Sequence, residues 1–395
     1  MQRVIVRWCT VLSVAVVFGA VVMAQRPAAG SKAEQVPTFR YDPTWPKQLP
    51  NNWVIGQVGA LFVDAKDHIW IAQRPGGTTN LSERYGLLGY SECCFPAPPV
   101  IEFDQAGNMV QAWGAIHENK GELVGPQVSG PYPAGAWPTS EHGIFVEPTG
   151  TVWVDSSTAP SSLLKLKRDG KLLMQIGKQQ AKTSSDTVNL GGPTSMVVDA
   201  AAREVFVADG YENRRVVVFD SETGAYKRHW GAYGKPPSAD QAPGTNEKAV
   251  FDIEARRQQF DHVHCLMQDN EGLLYVCDRA NNRVQIFKKD GTYIREVFIA
   301  PKTRGFGSVM AVAFSPDKAQ RFMYVGDGAN HKVWILRRDT LEIIGSIGGS
   351  GRGGGQVLVI HTIGVDSKGN LYVGETIPGN RVQRFTFTGL APAKP

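Results

Sequence analysis

Apolar residues in this chain recur at every second position over short runs, and each run is closed by a cluster of Gly, Pro, Asp, Asn or Ser. That alternation predicts strands joined by tight turns. No segment sustains an apolar period near 3.6 residues, which excludes a stack of helical repeats. A five-residue pattern of apolar, aromatic, apolar, small and acidic residues returns along the chain. It reads "VFVAD" at 205–209, "LYVCD" at 274–278, "MYVGD" at 323–327 and "LYVGE" at 371–375, with degenerate copies "IWIAQ" at 69–73 and "VWVDS" at 152–156. Each copy follows a period-two strand and a turn such as "EPTGT" or "DNEG", and most precede a further strand such as "RRVVVFD" or "NRVQIFK". An outer strand often completes the unit, as in "AYKRHWG" and "YIREVF".

Such a unit is a small twisted antiparallel sheet that cannot cover both of its faces alone. Six copies set around an axis cover them and leave only short edges, so the expected fold is all-β, a six-bladed β-propeller. Residues 75–140 and 232–260 separate neighbouring copies and are rich in Gly, Pro and polar residues. They read as long loops over one face, where propellers bind ligands. The stretch "GGSGRGGGQ" (348–356) lacks the Lys-Ser/Thr ending and following helix of a phosphate loop, and reads as a connection between blades five and six.

Counting fourteen residues back from the last anchor position gives His142 from Ser156, His264 from Asp278 and His361 from Glu375. The same count gives Gly59 and Ser195 in the first and third copies, and the fifth, with its longer turn, gives a small residue near Ala311. Histidine therefore occupies one strand position in copies two, four and six. Alternate blades of a six-bladed ring are related by a third of a turn, so these side chains are expected to converge on the axis. Three imidazoles with an open fourth position are the ligand set of a catalytic zinc site, although another transition metal also accepts imidazole. His262 reads as a solvent-exposed loop residue, with a place beside His264 as its alternative. His68, His117, His229 and His331 fall on turns or outer strands and are given no role.

Arg3 and Arg7 precede the apolar run "VLSVAVVFGAVVMA" (11–24), the form of a cleavable signal peptide with a cut near Ala24. The expected organisation is a signal peptide at 1–24, a Pro-rich segment at 25–50 and the propeller at 51–390. The product would be secreted or periplasmic, with no membrane association after cleavage. Removing the two arginines leaves 40 Lys+Arg (42 less 2) against 37 Asp+Glu, a balance with no basic cluster, which argues against nucleic acid. Cys265 and Cys277 lie on opposite arms of a predicted hairpin, where a disulfide is an open alternative to free thiols. Cys93 and Cys94 are adjacent in sequence and are not expected to bond each other.

Over residues 52–388 the chain resembles the NHL-repeat propellers and, among them, the peptidyl-α-hydroxyglycine α-amidating lyases. The motifs that carry the resemblance include "GQVGALFVDAKDHIWIAQR" (56–74), "EHGIFVEPTGTVWV" (141–154), "PTSMVVDAAAREVFVADGYENRRVVVF" (193–219), "VHCLMQDNEGLLYVCDRANNRVQIF" (263–287) and "IHTIGVDSKGNLYVGE" (360–375). The resemblance implies zinc on His142, His264 and His361, a catalytic tyrosine at Tyr211, and active-site arginines at Arg74 and Arg279. It implies a small polar or carboxylate-bearing substrate such as a peptide end, split into a peptide amide and glyoxylate. Three departures are visible. Thr362 replaces the aspartate of the family's calcium site, which argues against Ca²⁺; Val359 replaces a pocket methionine; Glu212 replaces a cysteine. The alternative of another class is a non-catalytic NHL-repeat propeller that binds protein or glycan ligands on its loop face. A calcium-dependent sugar lactonase is disfavoured, since that site uses carboxylate and amide ligands.

Overall fold

The computed structural model describes residues 35–75, 81–116, 132, 136–239 and 258–392. The expected signal peptide, His117 and parts of the two long insertions lie outside the described residues; the first insertion is not all loop, since Val100–Phe103 and Met109–Trp113 within it pair onto Ile69–Arg74 as the two outer strands of blade 1. Within them the chain forms six four-stranded antiparallel sheets. The innermost strands are Gln57–Val63, Glu141–Val146, Pro193–Asp199, Val263–Gln268, Ala311–Phe314 and Ile360–Val365. Each packs against the innermost strands on either side of it, and the sixth packs against the first, so the ring is closed. This is the six-bladed propeller that the repeat predicts.

The anchor motif forms the second strand of every blade, from Ile69–Arg74 in blade 1 to Leu371–Glu375 in blade 6. Its aromatic residue (Trp70, Trp153, Phe206, Tyr275, Tyr324 or Tyr372) is buried in every copy. Removing such a ring from a packed core typically costs about 3–5 kcal/mol. Several of these rings also satisfy their polar atom against the acid of the preceding turn: Trp70 Nε1 donates to Asp64, Trp153 Nε1 to Glu147 and Tyr372 Oη to Asp366. The motif's closing acid has a separate task. Asp209, Asp278 and Glu375 each accept a hydrogen bond from a backbone N–H just upstream of the innermost strand. Each also pairs with an arginine at the start of the third strand, Arg215, Arg283 or Arg381. One carboxylate thus ties three strands together, which explains why the repeat ends on an acid.

The sixth blade is completed by the chain's N-terminal side. Gln35–Asp42, inside the segment set apart on its proline content, pairs antiparallel with Arg381–Pro392 as the outermost strand. The Arg384 Nε donates to Asp42 at 3.0 Å across this seam. Two sulfur pairings are fixed. Cys265 and Cys277 face each other across the first two strands of blade 4 and form a disulfide. Cys93 and Cys94 also bond each other, contrary to the sequence-based expectation, because a cis peptide between them brings their Cα atoms to 3.1 Å.

Candidate metal centre

His142, His264 and His361 stand at the start of the innermost strands of blades 2, 4 and 6, and all three are buried. Their ring centroids lie 4.8, 4.6 and 4.7 Å apart, and one nitrogen from each ring falls within 4.8 Å of those from the other two. The opposite ring edge is held by the neighbouring odd-numbered blade. His142 Nδ1 lies 2.7 Å from the Thr194 carbonyl, His264 Nδ1 2.8 Å from that of Met310 and His361 Nδ1 2.8 Å from that of Gly59. A carbonyl can only accept, so each Nδ1 carries the proton and each Nε2 presents a lone pair toward the axis. The same carbonyl-to-Nδ1 arrangement orients histidines in metal sites generally.

Burial first, and neighbouring positive charge second, lower the basicity of these rings. His142 and His264 are pushed well below the ordinary histidine range, and His361 to about 3. All three are therefore neutral, the form that ligates a metal. The lone pair on His264 Nε2 is buried and meets no hydrogen-bond donor. An orphaned acceptor of this kind is costly, and its place beside the other two imidazoles fits a metal ion well.

Calcium does not fit. The Thr362 hydroxyl accepts the Leu61 N–H at 3.0 Å and lies 3.5 Å from the Leu61 carbonyl. Among the described residues, those lining the central channel include no carboxylate. Beyond the histidines the channel narrows between apolar side chains, with Phe62 and Phe145 in contact at 4.7 Å between centroids. A second cluster of Asp64, His68 and Glu102 lies at the first turn of blade 1, but Arg168 already pairs with both of its carboxylates.

The other residues singled out in the sequence come to the same end of the propeller, Tyr211 and Arg279 on the turns after the second strands and Arg74 as the last residue of one. Tyr211 places its hydroxyl 2.9 Å from His142 Nε2, and since that nitrogen has the lone pair, the phenol donates. Arg279 donates from Nη1 to the Tyr211 oxygen at 3.3 Å and lays its guanidinium over the ring at 5.3 Å. Its Nε and Nη2, which form one edge of the guanidinium, are buried without a hydrogen-bond partner. Arg74 is turned to the junction of blades 1 and 2, donating to the Glu141 carbonyl at 2.8 Å and to Gln57 Oε1 at 3.0 Å. Under His142, Asp155 accepts the Gly143 N–H at 2.7 Å. Burial raises the Asp155 carboxyl to about 8, its hydrogen bonds only partly opposing this.

His262 is not the solvent-exposed residue the sequence suggested. It is 3% exposed and its Nδ1 lies 2.7 Å from Asp261 Oδ1, because the chain before blade 4 turns inward beside Tyr211 instead of running over the surface. The adjacent Asp261 was its only sequence signal. The three carbonyl partners were nearer to view: Gly59 occupies the histidine register in blade 1, while Thr194 and Met310 each precede the counted position by one residue.

The NHL repeat model matches residues 260–287, which carry His264 and the anchor of blade 4. The peptidyl-glycine alpha-amidating monooxygenase of Mus musculus is 28% identical over 256 residues, 62% of this chain and 23% of that protein. The corresponding form B of Xenopus laevis is 26% identical over 252 residues, 62% of this chain and 26% of that protein. The chain thus spans about a quarter of the length of these relatives. Among solved structures, virginiamycin B lyase from Staphylococcus aureus aligns over 89% of this chain and 99% of its own, with a TM-score of 0.49 and 13% identity. The chain is a six-bladed β-propeller with an NHL repeat, homologous over part of its length to the peptidylglycine alpha-amidating monooxygenases.

Proposed function

We propose that this protein is an exported, metal-dependent lyase that splits a carbinolamide at a peptide end or similar small acid into an amide and glyoxylate. The observation that carries the reading is the set of three neutral imidazoles, each locked by a carbonyl of the next blade, with the Tyr211 hydroxyl on one of their lone pairs. His142, His264 and His361 would hold the ion, with zinc the first choice for an all-imidazole set. When bound, it supplies Lewis acidity that makes the substrate hydroxyl easier to deprotonate.

The remaining work belongs to the protein. The Tyr211 hydroxyl sits on the His142 lone pair that a metal would use, so in the metal-bound protein it would be free to meet the substrate. Tyr211 gives its hydroxyl proton to the departing amide nitrogen and takes the carbinol proton in its place as the C–N bond breaks and the carbonyl of glyoxylate forms. The unpartnered Nε–Nη2 edge of Arg279 presents two parallel donors, the geometry that grips a carboxylate bidentately. Arg74 adds positive charge near His361 while it fixes the start of the innermost strand of blade 2 at Glu141.

The test is elemental analysis of the purified protein together with glyoxylate release from N-benzoyl-α-hydroxyglycine. About one transition metal per chain and turnover that disappears on chelation are expected. Protein without metal would remove the reading, and metal without glyoxylate would remove the substrate assignment.

A further inference from the structure

Tyr211 is held by the corner that leads into the innermost strand of blade 4, whose side chains neither the repeat nor the resemblance accounts for. The segment before Val263 is tied down by several bonds. Asp261 N–H donates to Asp278 Oδ1 at 2.7 Å, Arg279 N–H to the His262 carbonyl at 3.0 Å and Ala280 N–H to the Asp261 carbonyl at 3.1 Å. The Thr194 hydroxyl, from blade 3, donates to the Val263 carbonyl at 2.6 Å. Within this corner His262 is buried and has φ of +61°, the left-handed conformation that Gly192 (+81°) and Val359 (+45°) adopt at the same place in blades 3 and 6. Its ring meets that of Tyr211 edge to face with centroids 5.8 Å apart, and Arg279 covers the phenol at 5.3 Å. Gly210 permits this approach: a Cβ there would stand 2.1 Å from the Val263 carbonyl oxygen and 2.4 Å from its nitrogen.

We infer that His262, braced by Asp261, is a positioning residue that clamps the Tyr211 ring together with Arg279 and aims its hydroxyl at the three-histidine centre. The inference rests on the proton-transfer role proposed for Tyr211. It gives a use to the buried ring and its contact with Asp261 at a corner where blades 3 and 6 carry Gly192 and Val359 instead. The clamp comes from blade 4 and the phenol from blade 3, so the pairing also fixes the junction of those blades at the site.

The experiment places 3-fluorotyrosine at position 211 in the metal-loaded protein and follows its ¹⁹F resonance in wild type, His262→Asn and His262→Phe. Asn tolerates the left-handed backbone but removes the ring, whereas Phe restores an aromatic edge. A clamped ring gives resolved wild-type resonances that collapse toward one averaged line in His262→Asn and return in His262→Phe. With the hydroxyglycine probe, kcat should fall about tenfold in His262→Asn with KM within about twofold, and recover in His262→Phe. A wild-type ¹⁹F spectrum in His262→Asn would overturn the inference whatever the turnover. A collapsed spectrum in a protein that lacks turnover altogether would sustain the clamp and defeat the lyase reading instead.

Discussion

Blades 4 and 5 are built on the same plan and do different work. Both have an anchor strand with a buried tyrosine, Tyr275 or Tyr324, and both anchors end in a buried aspartate, Asp278 or Asp327. Blade 4 opens on His264 and follows its anchor with Arg279. Blade 5 offers only the Met310 carbonyl at the corresponding place, and Gly328 follows its anchor. The strands supply cohesion in both, and the chemistry is confined to two positions at one end, the first turn of the inner strand and the residue after the second. A propeller can therefore gain or lose function at those positions without changing the interactions that fold it.

The sharpest separation should come from His264→Ala set against Met310→Ala. The first is expected to drop metal content from about one ion per chain to less than about a tenth, with the far-UV spectrum intact. The second removes a buried side chain but not the carbonyl that holds His264. It should cost about 2–4 kcal/mol of stability while metal stoichiometry stays at that of wild type. Metal analysis and denaturant titration on the same samples read both. Equal metal loss in the two variants would show that the division between cohesion and chemistry is wrong.

A smaller effect is expected at the anchor acids. Asp278 pairs with Arg283 inside the blade, whereas Asp327 is satisfied by the neutral donors Trp334 and Asn330. Asp278→Asn leaves a buried guanidinium short of its partner and should cost about 3 kcal/mol. Asp327→Asn exchanges one neutral-donor acceptor for a weaker one and should cost about 1 kcal/mol. Urea midpoints at constant m-value would measure the difference, and similar losses at both sites would contradict it.

The smallest effect lies at the seam of blade 6. Burial by itself would raise the Asp42 carboxyl, but hydrogen bonds from Thr44 and Arg384 hold it down at about 2. A depressed carboxyl stabilises the fold above its unfolded value near 4, and the contribution disappears as pH falls toward 2. The pair is partly open to solvent, so about 1 kcal/mol is expected. Asp42→Asn should lower stability by that amount at pH 6 and leave it unchanged near pH 2, as thermal melts at the two pH values will show.

Much of the fold was legible because a blade is a local object. Alternation, turn residues and the recurrent acid lie within some forty residues, and each copy repeats the message. The histidine register was legible for the same reason, since a fixed offset within one hairpin fixes which end of the strand a side chain occupies. What escaped depended on segments that the pattern treats as connections. His262 looked like a loop residue because nothing local reports that its loop turns inward against blade 3. The Cys93–Cys94 bond depends on a peptide geometry that residue spacing does not encode. The outermost strand of blade 6 was hidden because Gln35–Asp42 pairs with a strand more than three hundred residues away.

The order of residues thus determined six sheets, their direction around an axis and the end of each inner strand on which a histidine stands, because these follow from short-range periodicity and sterics. Only the folded ring decided that the three imidazoles share one axis with their Nε2 atoms turned inward, since the carbonyls that orient them belong to other blades. It alone decided that the Thr362 hydroxyl binds Leu61, and that Tyr211 lies between Arg279 and His262. These are contacts between distant parts of the chain. Their energies depend on burial and mutual orientation, which the closed ring creates and no single blade contains.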